Sequence, residues 1–402
     1  MRSVLSASLA LAILMVSPPP SPRAADEIER GDLWAMTRIL EDGREEPAGA
    51  ALVLEGWEGA VTFAHLAAGA RAVRLEGPGG TLETDRYRAV LTDYDLVILD
   101  VASAGDPWPA PREILPRRDT LQAYVRGEQT PVRIYCHGSV EVPGGLQLLH
   151  LQHSPRGPAP LIDCQGRLAG LGGNIVTLDG VFGYGLPATA LRELGRRETS
   201  GGRLADLDPA QPDWIDPTTA SGLTLEGGIL VRNGEIEKGM ARLEHARELN
   251  PSAAETRYEI GNAYNTERQW QEAIEAFRAA DSLRSCYLNA LLYQGATYFM
   301  LGRYAQAESL YLAAQSCDST YARVYLNLSG IAQQGNRRDK VESYLLKALE
   351  LDPDLDVARF NLAMIWNSLG RREAAREQLE LLKEACSSWA ARLDAYLNRP
   401  AD

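Results

Sequence analysis

The first half of this 402-residue chain contains no lysine, because its four lysines are Lys238, Lys340, Lys347 and Lys383. Positive charge is scarce throughout, with 41 Lys and Arg against 54 Asp and Glu, a net charge of −13. Such a balance repels phosphate backbones, which argues against a nucleic-acid partner and favours a basic or neutral one. Hydrophobic residues make up 45% and charged residues 24%, which is typical of a folded globular protein and excludes a disordered chain.

Paired metal-binding cysteines are also absent. None of the five cysteines (Cys136, Cys164, Cys286, Cys317 and Cys386) forms a CxxC motif, and no histidine group has metal-ligand spacing. We therefore predict neither a metal site nor a cofactor. In an exported protein the pairs Cys136–Cys164 and Cys286–Cys317 are candidates for disulfides, whereas the alternative is that all five are buried thiols.

Long hydrophobic runs are missing except at the start of the chain. Val4 to Val16 carry no charge, and Pro18, Pro19 and Pro20 follow them. The run reaches only about 20 Å as a helix, too short for roughly 30 Å of hydrocarbon. Residues 1–25 are therefore predicted to be a signal peptide, which makes this an exported protein, expected in a bacterial periplasm. An uncleaved anchor or a misassigned start codon are the alternatives.

The second half repeats itself every 34 residues. Five windows follow without insertion: 220–253, 254–287, 288–321, 322–355 and 356–389. The eighth position is always small, and the twenty-fourth is always large and apolar or aromatic. Glycines at Gly234, Gly302 and Gly370 mark a turn inside three windows. A small residue lets two antiparallel helices cross closely, so the pattern predicts stacked helix pairs.

These repeats resemble the tetratricopeptide repeat (TPR) family over residues 220–389. The resemblance implies an all-α solenoid, with a capping helix in residues 390–402 that begins around Trp389. It also implies a protein or peptide partner on the concave face, which the first helix of each repeat lines. A solvated groove without a ligand is the alternative.

The candidate partner-binding side chains are amides, aromatic rings and one guanidinium. They are Tyr258, Asn262, Asn265, Asn289, Tyr293, Arg323, Asn327, Asn361 and Asn367. Asparagine amides can pair with the backbone of an extended peptide, and tyrosines add apolar contact. The paired lysines of chaperone-binding repeats are not present at the corresponding positions, so a chaperone C-terminus is not predicted.

Residues 33–195 instead contain short strand-like runs between Gly and Pro turns, which predict an all-β barrel or sandwich. The phrases VTFAHL (61–66), YDLVIL (94–99) and GYGLP (183–187) occur in that order. They resemble the trypsin-like serine peptidases of the HtrA/Deg branch. The resemblance implies two six-stranded barrels over residues 26–197, with His65 as the general base and Asp95 as the carboxylate that orients it.

The loop that should carry the nucleophile departs from that family. Aligning Pro160 and Leu161 with the family's Pro-Leu puts Gly157 at the nucleophile and Pro155 at an oxyanion-hole donor. Glycine has no side chain to attack a carbonyl, and proline has no N–H to donate. We therefore predict an inactive pseudo-peptidase with a vestigial dyad. The alternative is an active enzyme in which a rebuilt loop brings Ser154 into use.

Residues 198–219 are rich in proline and aspartate and are predicted to be a linker. The sequence thus predicts a multi-domain protein, an all-β double barrel followed by an all-α solenoid. Its predicted function is an exported binding or scaffold protein without stable membrane insertion. A working serine endopeptidase with repeats that present substrates is the rival interpretation.

Overall fold

A computed structural model describes residues 33–54, 57–77, 80–91, 94–101, 107, 119–123, 132–143, 146–151, 159–163, 167–177, 180–196, 201–207, 216, 218–385 and 387–398. The predicted signal peptide lies outside these residues. The chain divides into two compact units, one of them Pro22–Pro251 and the other including Ser252–Asp402. Each unit is treated separately below.

The first unit contains the strands and two short helices. The strands are β1 (Leu33–Ile39), β2 (Glu45–Leu52), β3 (Ala60–Phe63), β4 (Ala72–Gly77), β5 (Gly80–Thr84), β6 (Arg86–Leu91), β7 (Leu96–Leu99), β8 (Asp119–Ala123), β9 (Val132–Val142), β10 (Leu146–Leu151), β11 (Ala159–Ile162), β12 (Leu168–Thr177), β13 (Gly180–Pro187) and β14 (Gly202–Arg203). The short helices are α1 (Ala64–Ala67) and α2 (Ala188–Arg196).

The described strands form one sheet and one barrel. The sheet is eight-stranded in the order β14-β6-β7-β3-β2-β1-β4-β5, and β10-β13-β12-β11-β8-β9 close into a barrel. The all-β character predicted for this half is therefore present. A closed barrel is described for one of the two sets of strands, so the double barrel remains a prediction.

The sheet and the barrel share a hydrophobic core. Phe63 of β3 and Tyr184 of β13 belong to one buried cluster. Every residue of β3 and of β7 is buried. Strands buried on both faces lose the polar alternation of a solvent-exposed strand, which explains why their sequences read as continuous apolar runs.

The predicted linker of residues 198–219 begins too early. Gly202 and Arg203 form β14, which pairs with Tyr87 and Arg86 of β6. Leu204 and Leu207 follow with 0% and 4% of their surface exposed and pack into the core of the sheet. Burial of these two leucines ties residues 202–207 to the sheet, although their local sequence is typical of a linker.

The first helix pair packs with the strands. It consists of α3 (Ala220–Arg232) and α4 (Ile236–Leu249). The hydroxyl of Thr219 caps α3 by accepting the N–H of Gly222 at 3.1 Å, which fixes the predicted start of the repeats. Leu225 and Ile229 of α3 join the core that contains Val140 and Val142 of the barrel. This packing explains why the compact units divide at Pro251, one repeat later than the pattern suggests.

The second unit contains the remaining helix pairs. They are α5 (Ala254–Thr266), α6 (Trp270–Leu283), α7 (Leu288–Met300), α8 (Tyr304–Cys317), α9 (Ala322–Gln334), α10 (Arg338–Leu351), α11 (Asp356–Ser368) and α12 (Arg372–Glu384). A last helix, α13 (Ser388–Leu397), packs beside Phe360 of α11 through Trp389, at 4.9 Å between ring centroids. The all-α repeat prediction and the capping helix are confirmed.

In the second and third repeats, close helix crossing depends on glycine at the eighth position. A Cβ placed on Gly261 would lie 2.6 Å from the ring of Phe277, and one on Gly295 would lie 2.5 Å from the ring of Tyr311. The large residue at position twenty-four thus covers the small residue of its own repeat. The same residue also contacts the next repeat, since the ring centroids of Phe277 and Tyr293 lie 6.0 Å apart.

The turn between the two helices of each repeat uses a left-handed residue. The turn residues Gly234, Arg268, Gly302, Asn336 and Gly370 have φ of 89°, 61°, 72°, 52° and 78°. The sequence predicted turns at the three glycines but did not predict a left-handed residue at Arg268 or Asn336. Arginine has a Cβ that crowds the following carbonyl in this conformation, which costs roughly 1–2 kcal/mol.

We expect Arg268→Gly to stabilise the repeats by about 0.5–1 kcal/mol, because the relief of strain exceeds the added entropy of the unfolded chain. Gly302→Ala is the matched control. Its Cβ would meet no atom within 4 Å, so only the φ of 72° would be strained, and it should destabilise by about the same amount. Urea unfolding followed by circular dichroism measures both. A loss of stability in Arg268→Gly would contradict this account.

A disulfide joins the second and third repeats. Cys286, in the loop after α6, bonds to Cys317 at the end of α8, with 5.7 Å between their Cα atoms and a sequence separation of 31. This candidate pair is therefore confirmed. Closing a loop of this length stabilises a fold by roughly 3–4 kcal/mol in the chain-entropy description. Cys136 is buried in the barrel core, while Cys164 and Cys386 lie outside the described residues.

A largely buried carboxyl begins α11. Burial raises the pKa of Asp356 to about 6, although a hydrogen bond from Ser387 and the charge of Arg359 act in the opposite direction. The negative charges of Asp354 and Asp352 also raise the pKa of Asp356, by a smaller amount. The folded protein therefore binds a proton at Asp356 between about pH 4 and pH 6, where the unfolded chain does not. Stability from this group is largest at low pH and falls as pH rises through that window.

Asp356→Asn should remove this slope and stabilise the second unit at about pH 7 by roughly 1–3 kcal/mol, because a buried charge is no longer required there. Asp339→Asn, at an exposed aspartate in the first turn of α10, is the control and should leave the slope unchanged. Urea midpoints between about pH 4 and pH 8 measure the effect. An unchanged slope in Asp356→Asn would contradict the assignment.

Candidate functional sites

Strand register brings His65 and Asp95 together. Strand β3 pairs antiparallel with β7, so that Phe63 faces Leu96. The next residues along each strand therefore also meet, and the N–H of Ala64 donates to the backbone oxygen of Asp95 at 2.7 Å. Helix α1 begins at this point and turns His65 towards the Asp95 side chain.

Both oxygens of the Asp95 carboxylate are used to hold His65. Oδ1 accepts the backbone N–H of His65 at 2.8 Å, and Oδ2 forms a short contact with Nδ1 of the imidazole. Asp95 is 2% exposed and has a φ of 55°, a left-handed turn that directs its carboxylate at His65. With a proton on Nδ1 facing the carboxylate, Nε2 of a neutral imidazole is the basic nitrogen. The two residues predicted as a dyad are thus in the geometry that such a dyad requires.

Aromatic rings complete the environment of this pair. The Phe63 ring stacks on the imidazole with 5.9 Å between centroids and an interplanar angle of 18°. The Tyr184 ring lies 6.1 Å from Phe63. Burial, helped by the negative charge of Asp95, raises the pKa of Tyr184 well above its ordinary value, so its phenol stays neutral. A side chain at Gly173 would collide with both rings, with its Cβ 2.8 Å from Tyr184 and 3.0 Å from Phe63.

The predicted nucleophile loop lies outside the described residues. Ser154, Pro155 and Gly157 all fall within residues 152–158, which leaves their assignment as a prediction. Within the described ranges, no serine or threonine hydroxyl hydrogen-bonds to His65. Nearby in sequence, the carboxylate of Asp163 is 1% exposed and accepts the backbone N–H and Nε of Arg167, both at 2.9 Å. Asp163 therefore ties the start of β12 to the end of β11.

The second candidate site is the first-helix face, which we define as the nine predicted side chains on α5, α7, α9 and α11. Seven are partly exposed: Asn262, Asn265, Asn289, Tyr293, Arg323, Asn327 and Asn367. The other two, Tyr258 and Asn361, are each 5% exposed and belong to the packed interior. Sequence position alone could not separate these classes, because the same repeat position is covered by different neighbours.

Tyr258 is at the centre of an aromatic cluster. Its ring centroid lies 5.8 Å from Phe277, 5.5 Å from Tyr287 and 5.4 Å from Tyr293. The edge-on contact with Tyr293, at 87°, joins α5 to α7. Tyr258 therefore packs beneath the first-helix face, whereas Tyr293, its edge-on neighbour, is partly exposed.

Two predicted asparagines are oriented by residues that sequence reasoning missed. Thr297 of α7 donates its hydroxyl to Oδ1 of Asn265 at 3.1 Å, and Tyr321 donates to Oδ1 of Asn289 at 3.5 Å. Tyr321 precedes α9 and is the last residue of its repeat, so a search confined to the first helices omits it. An aromatic residue at that position in two successive repeats, Tyr287 and Tyr321, was the available signal.

The remaining amides differ in how they are satisfied. Nδ2 of Asn262 donates to Glu259 at 3.2 Å. Oδ1 of Asn361 is buried and accepts no hydrogen bond from the described residues.

Neither candidate site has a metal cluster, since no group of three or more His, Cys, Asp or Glu suited to a metal occurs in the described ranges. The same ranges include no helix long and apolar enough to cross a membrane.

Comparisons with known proteins fall on the helical part. The family model described as a tetratricopeptide repeat matches residues 322–355. The chain is 25% identical over 179 residues to the Protein O-mannosyl-transferase TMTC3 of Mus musculus, which covers 40% of this chain and 20% of that protein. The chain thus spans about a fifth of that relative's length.

Solved structures with similar helices include the pilF protein of Pseudomonas aeruginosa, 22% identical with a TM-score of 0.40, covering 44% of this chain and 83% of that one. Another is TTC0263, a thermophilic TPR protein of Thermus thermophilus, 23% identical with a TM-score of 0.40, covering 44% and 98%. The match at residues 322–355 falls on one helix pair, and equivalent pairs precede and follow it in the chain. The helical part of this chain is therefore a tetratricopeptide repeat domain.

Proposed function

We propose that this is an exported, non-catalytic binding protein. Its repeats recruit a protein or peptide, and its sheet domain is a pseudo-serine-peptidase that serves as a scaffold. The observation that carries the binding function is the first-helix face, where seven partly exposed side chains, mostly amides, lie on successive first helices. Amides at this spacing offer both donors and acceptors to the backbone of an extended peptide.

The non-catalytic part rests on an incomplete set of chemical groups. His65 and Asp95 have the base and orienter geometry, with a buried carboxylate behind a partly exposed imidazole. The resemblance to trypsin-like peptidases places Gly157 where the nucleophile would stand and Pro155 where an oxyanion donor would stand. Removing one such donor typically lowers the rate by ~10²–10³, and losing the nucleophile costs more.

Export is supported by two features. The first is the short hydrophobic run before the prolines at the start of the sequence. The second is the Cys286–Cys317 disulfide, since such bonds persist in oxidising compartments such as the periplasm.

A biotinylated fluorophosphonate should not label the full-length protein, because glycine at the nucleophile position leaves His65 without a serine to activate. Active trypsin in the same reaction confirms that the reagent works. The rival function, a working endopeptidase, predicts labelling that disappears in both Ser154→Ala and His65→Ala. Such labelling would overturn the non-catalytic proposal and establish Ser154 as the nucleophile.

Selection of a random-peptide phage pool on the immobilised full-length protein should enrich peptides that depend on the first-helix face. The double variant Asn262→Ala/Asn327→Ala should bind an enriched peptide roughly 10-fold more weakly, because each lost amide hydrogen bond contributes about 0.5–1.5 kcal/mol. The matched control is Gln271→Ala/Gln306→Ala, which removes two exposed amides from the second helices of their repeats. Equal affinity in the asparagine variant, or no enrichment at all, would favour an assembly scaffold without a peptide groove.

A further inference from the structure

Arg323 has an unusual environment on the first-helix face. It is the second residue of α9 and remains partly exposed, and its guanidinium lies near tyrosine side chains. The electrostatic neighbours of the guanidinium are Tyr293, Tyr321 and Tyr258, and the Tyr321 side chain is also its hydrogen-bond partner. We call Arg323 with these three tyrosines the Arg323 site.

The tyrosines are held in place independently of Arg323. The rings of Tyr258 and Tyr293 pack edge to face at 5.4 Å, and Tyr258 also contacts Phe277. The Tyr321 hydroxyl is fixed by Asn289 at 3.5 Å. The surroundings of the guanidinium are therefore preorganised by α5, α7 and the residue before α9, and they do not need a ligand to form.

No carboxylate in the described part of the chain forms an ion pair with Arg323. Other arginines of the same unit do have acidic partners: Arg284 pairs with Glu255 at 3.3 Å, Arg337 with Glu308 at 3.0 Å and Arg371 with Glu342 at 2.7 Å. Arg323 differs from these three because its neighbours are neutral phenols rather than a carboxylate.

An unneutralised, partly dehydrated cation is unfavourable, since a charge withdrawn from water needs a partner of opposite sign. Withdrawal from water is the largest influence on the pKa of Arg323 and acts to lower it. The three tyrosines outweigh this influence, so the pKa lies above its ordinary value and the group is charged at every physiological pH. The site thus has a permanent positive charge, phenol groups around it and an open side.

The geometry favours a carboxylate on an internal side chain. One guanidinium neutralises one negative charge and presents a planar fork that fits a carboxylate, whereas a phosphate monoester carries about −1.5 to −2 charges at neutral pH. Partly exposed asparagines lie on helices before and after the site, at Asn262 and Asn265 on α5 and at Asn367 on α11. A bound peptide can therefore extend in both directions from Arg323, so the charged group need not be a chain end.

We propose that the Arg323 site binds the carboxylate of an internal aspartate or glutamate in an extended peptide. This inference rests on the proposed peptide-binding function and adds the chemistry of the ligand. On this proposal the net negative charge of the chain does not decide the sign of its partner, because the contact is made by the positive charge of Arg323 itself.

The test uses the full-length protein and a phage pool of random nonapeptides, selected in parallel on the wild type, Arg323→Gln and Arg323→Lys. We expect the wild type to enrich Asp or Glu at one internal position, and Arg323→Gln to lose that preference. Arg323→Lys should keep a weaker preference, since lysine retains the charge without the fork. For an enriched peptide made synthetically, replacing the acidic residue by its amide should weaken binding at least ~10-fold, as expected for a charge-assisted hydrogen bond.

Two controls separate binding from structure. Arg337→Gln removes an arginine whose acidic partner is already Glu308, and it should leave the acidic preference unchanged. Arg323→Gln should unfold at the same temperature as the wild type or up to about 3 °C higher, because it removes an unneutralised charge. A melting temperature several degrees lower would mean that Arg323 is a structural residue, and would overturn the proposal.

The outcomes distinguish this inference from the proposed function. Enriched peptides without an acidic preference, which still depend on Asn262 and Asn327, would leave the binding function standing and overturn the carboxylate site. A preference that persists in Arg323→Gln would also overturn it. Synthetic peptides that bind only with a free C-terminal carboxylate would replace the internal side chain by a chain end as the occupant. Absence of any enriched peptide would remove both proposals.

Discussion

In its second and third repeats, the helical part depends on the close approach of two helices where one presents no side chain. At Gly261 and Gly295 the ring of the partner helix occupies the volume of the missing Cβ, at 2.6 and 2.5 Å. This contact sets the distance between the helices of a repeat and buries the ring at position twenty-four, which fixes the direction of the first helix. The first helices carry the amides, tyrosines and arginine of the candidate binding face, so the positions of those side chains follow from the same contact.

In the strand-rich unit, the corresponding constraint is the register of two buried strands. Pairing of Phe63 with Leu96 places the ends of β3 and β7 side by side, and the dyad follows from the adjoining residues of each strand. The left-handed backbone of Asp95 then directs its carboxylate at both the backbone and the ring of His65. Such an arrangement is maintained by packing as well as by hydrogen bonds, because Phe63 and Tyr184 belong to the core that the sheet shares with the barrel. A dyad that packs against the core can persist in a scaffold whether or not it performs chemistry.

Charge is distributed differently along the helical unit than the composition suggests. Arginines at the helix turns pair with glutamates of the preceding repeat, as Arg337 does with Glu308 and Arg371 with Glu342. These pairs neutralise one another at partly exposed sites and contribute little net stability. Arg323 instead has tyrosines as its neighbours and forms no ion pair with a described carboxylate. A recognition surface can therefore present a cationic group in a chain whose net charge is −13.

The sequence by itself determined the 34-residue period, the small residue at each helix crossing, the start of the repeats after Thr219 and the order of the His65 and Asp95 phrases. Only the tertiary structure decided that residues 202–207 belong to the sheet, that Leu225 and Ile229 join the barrel core, and that Tyr258 and Asn361 are buried. It also decided which arginines have acidic partners. The reason is physical: periodicity and turn chemistry act between residues a few positions apart, whereas burial and charge neutralisation depend on which distant elements pack together.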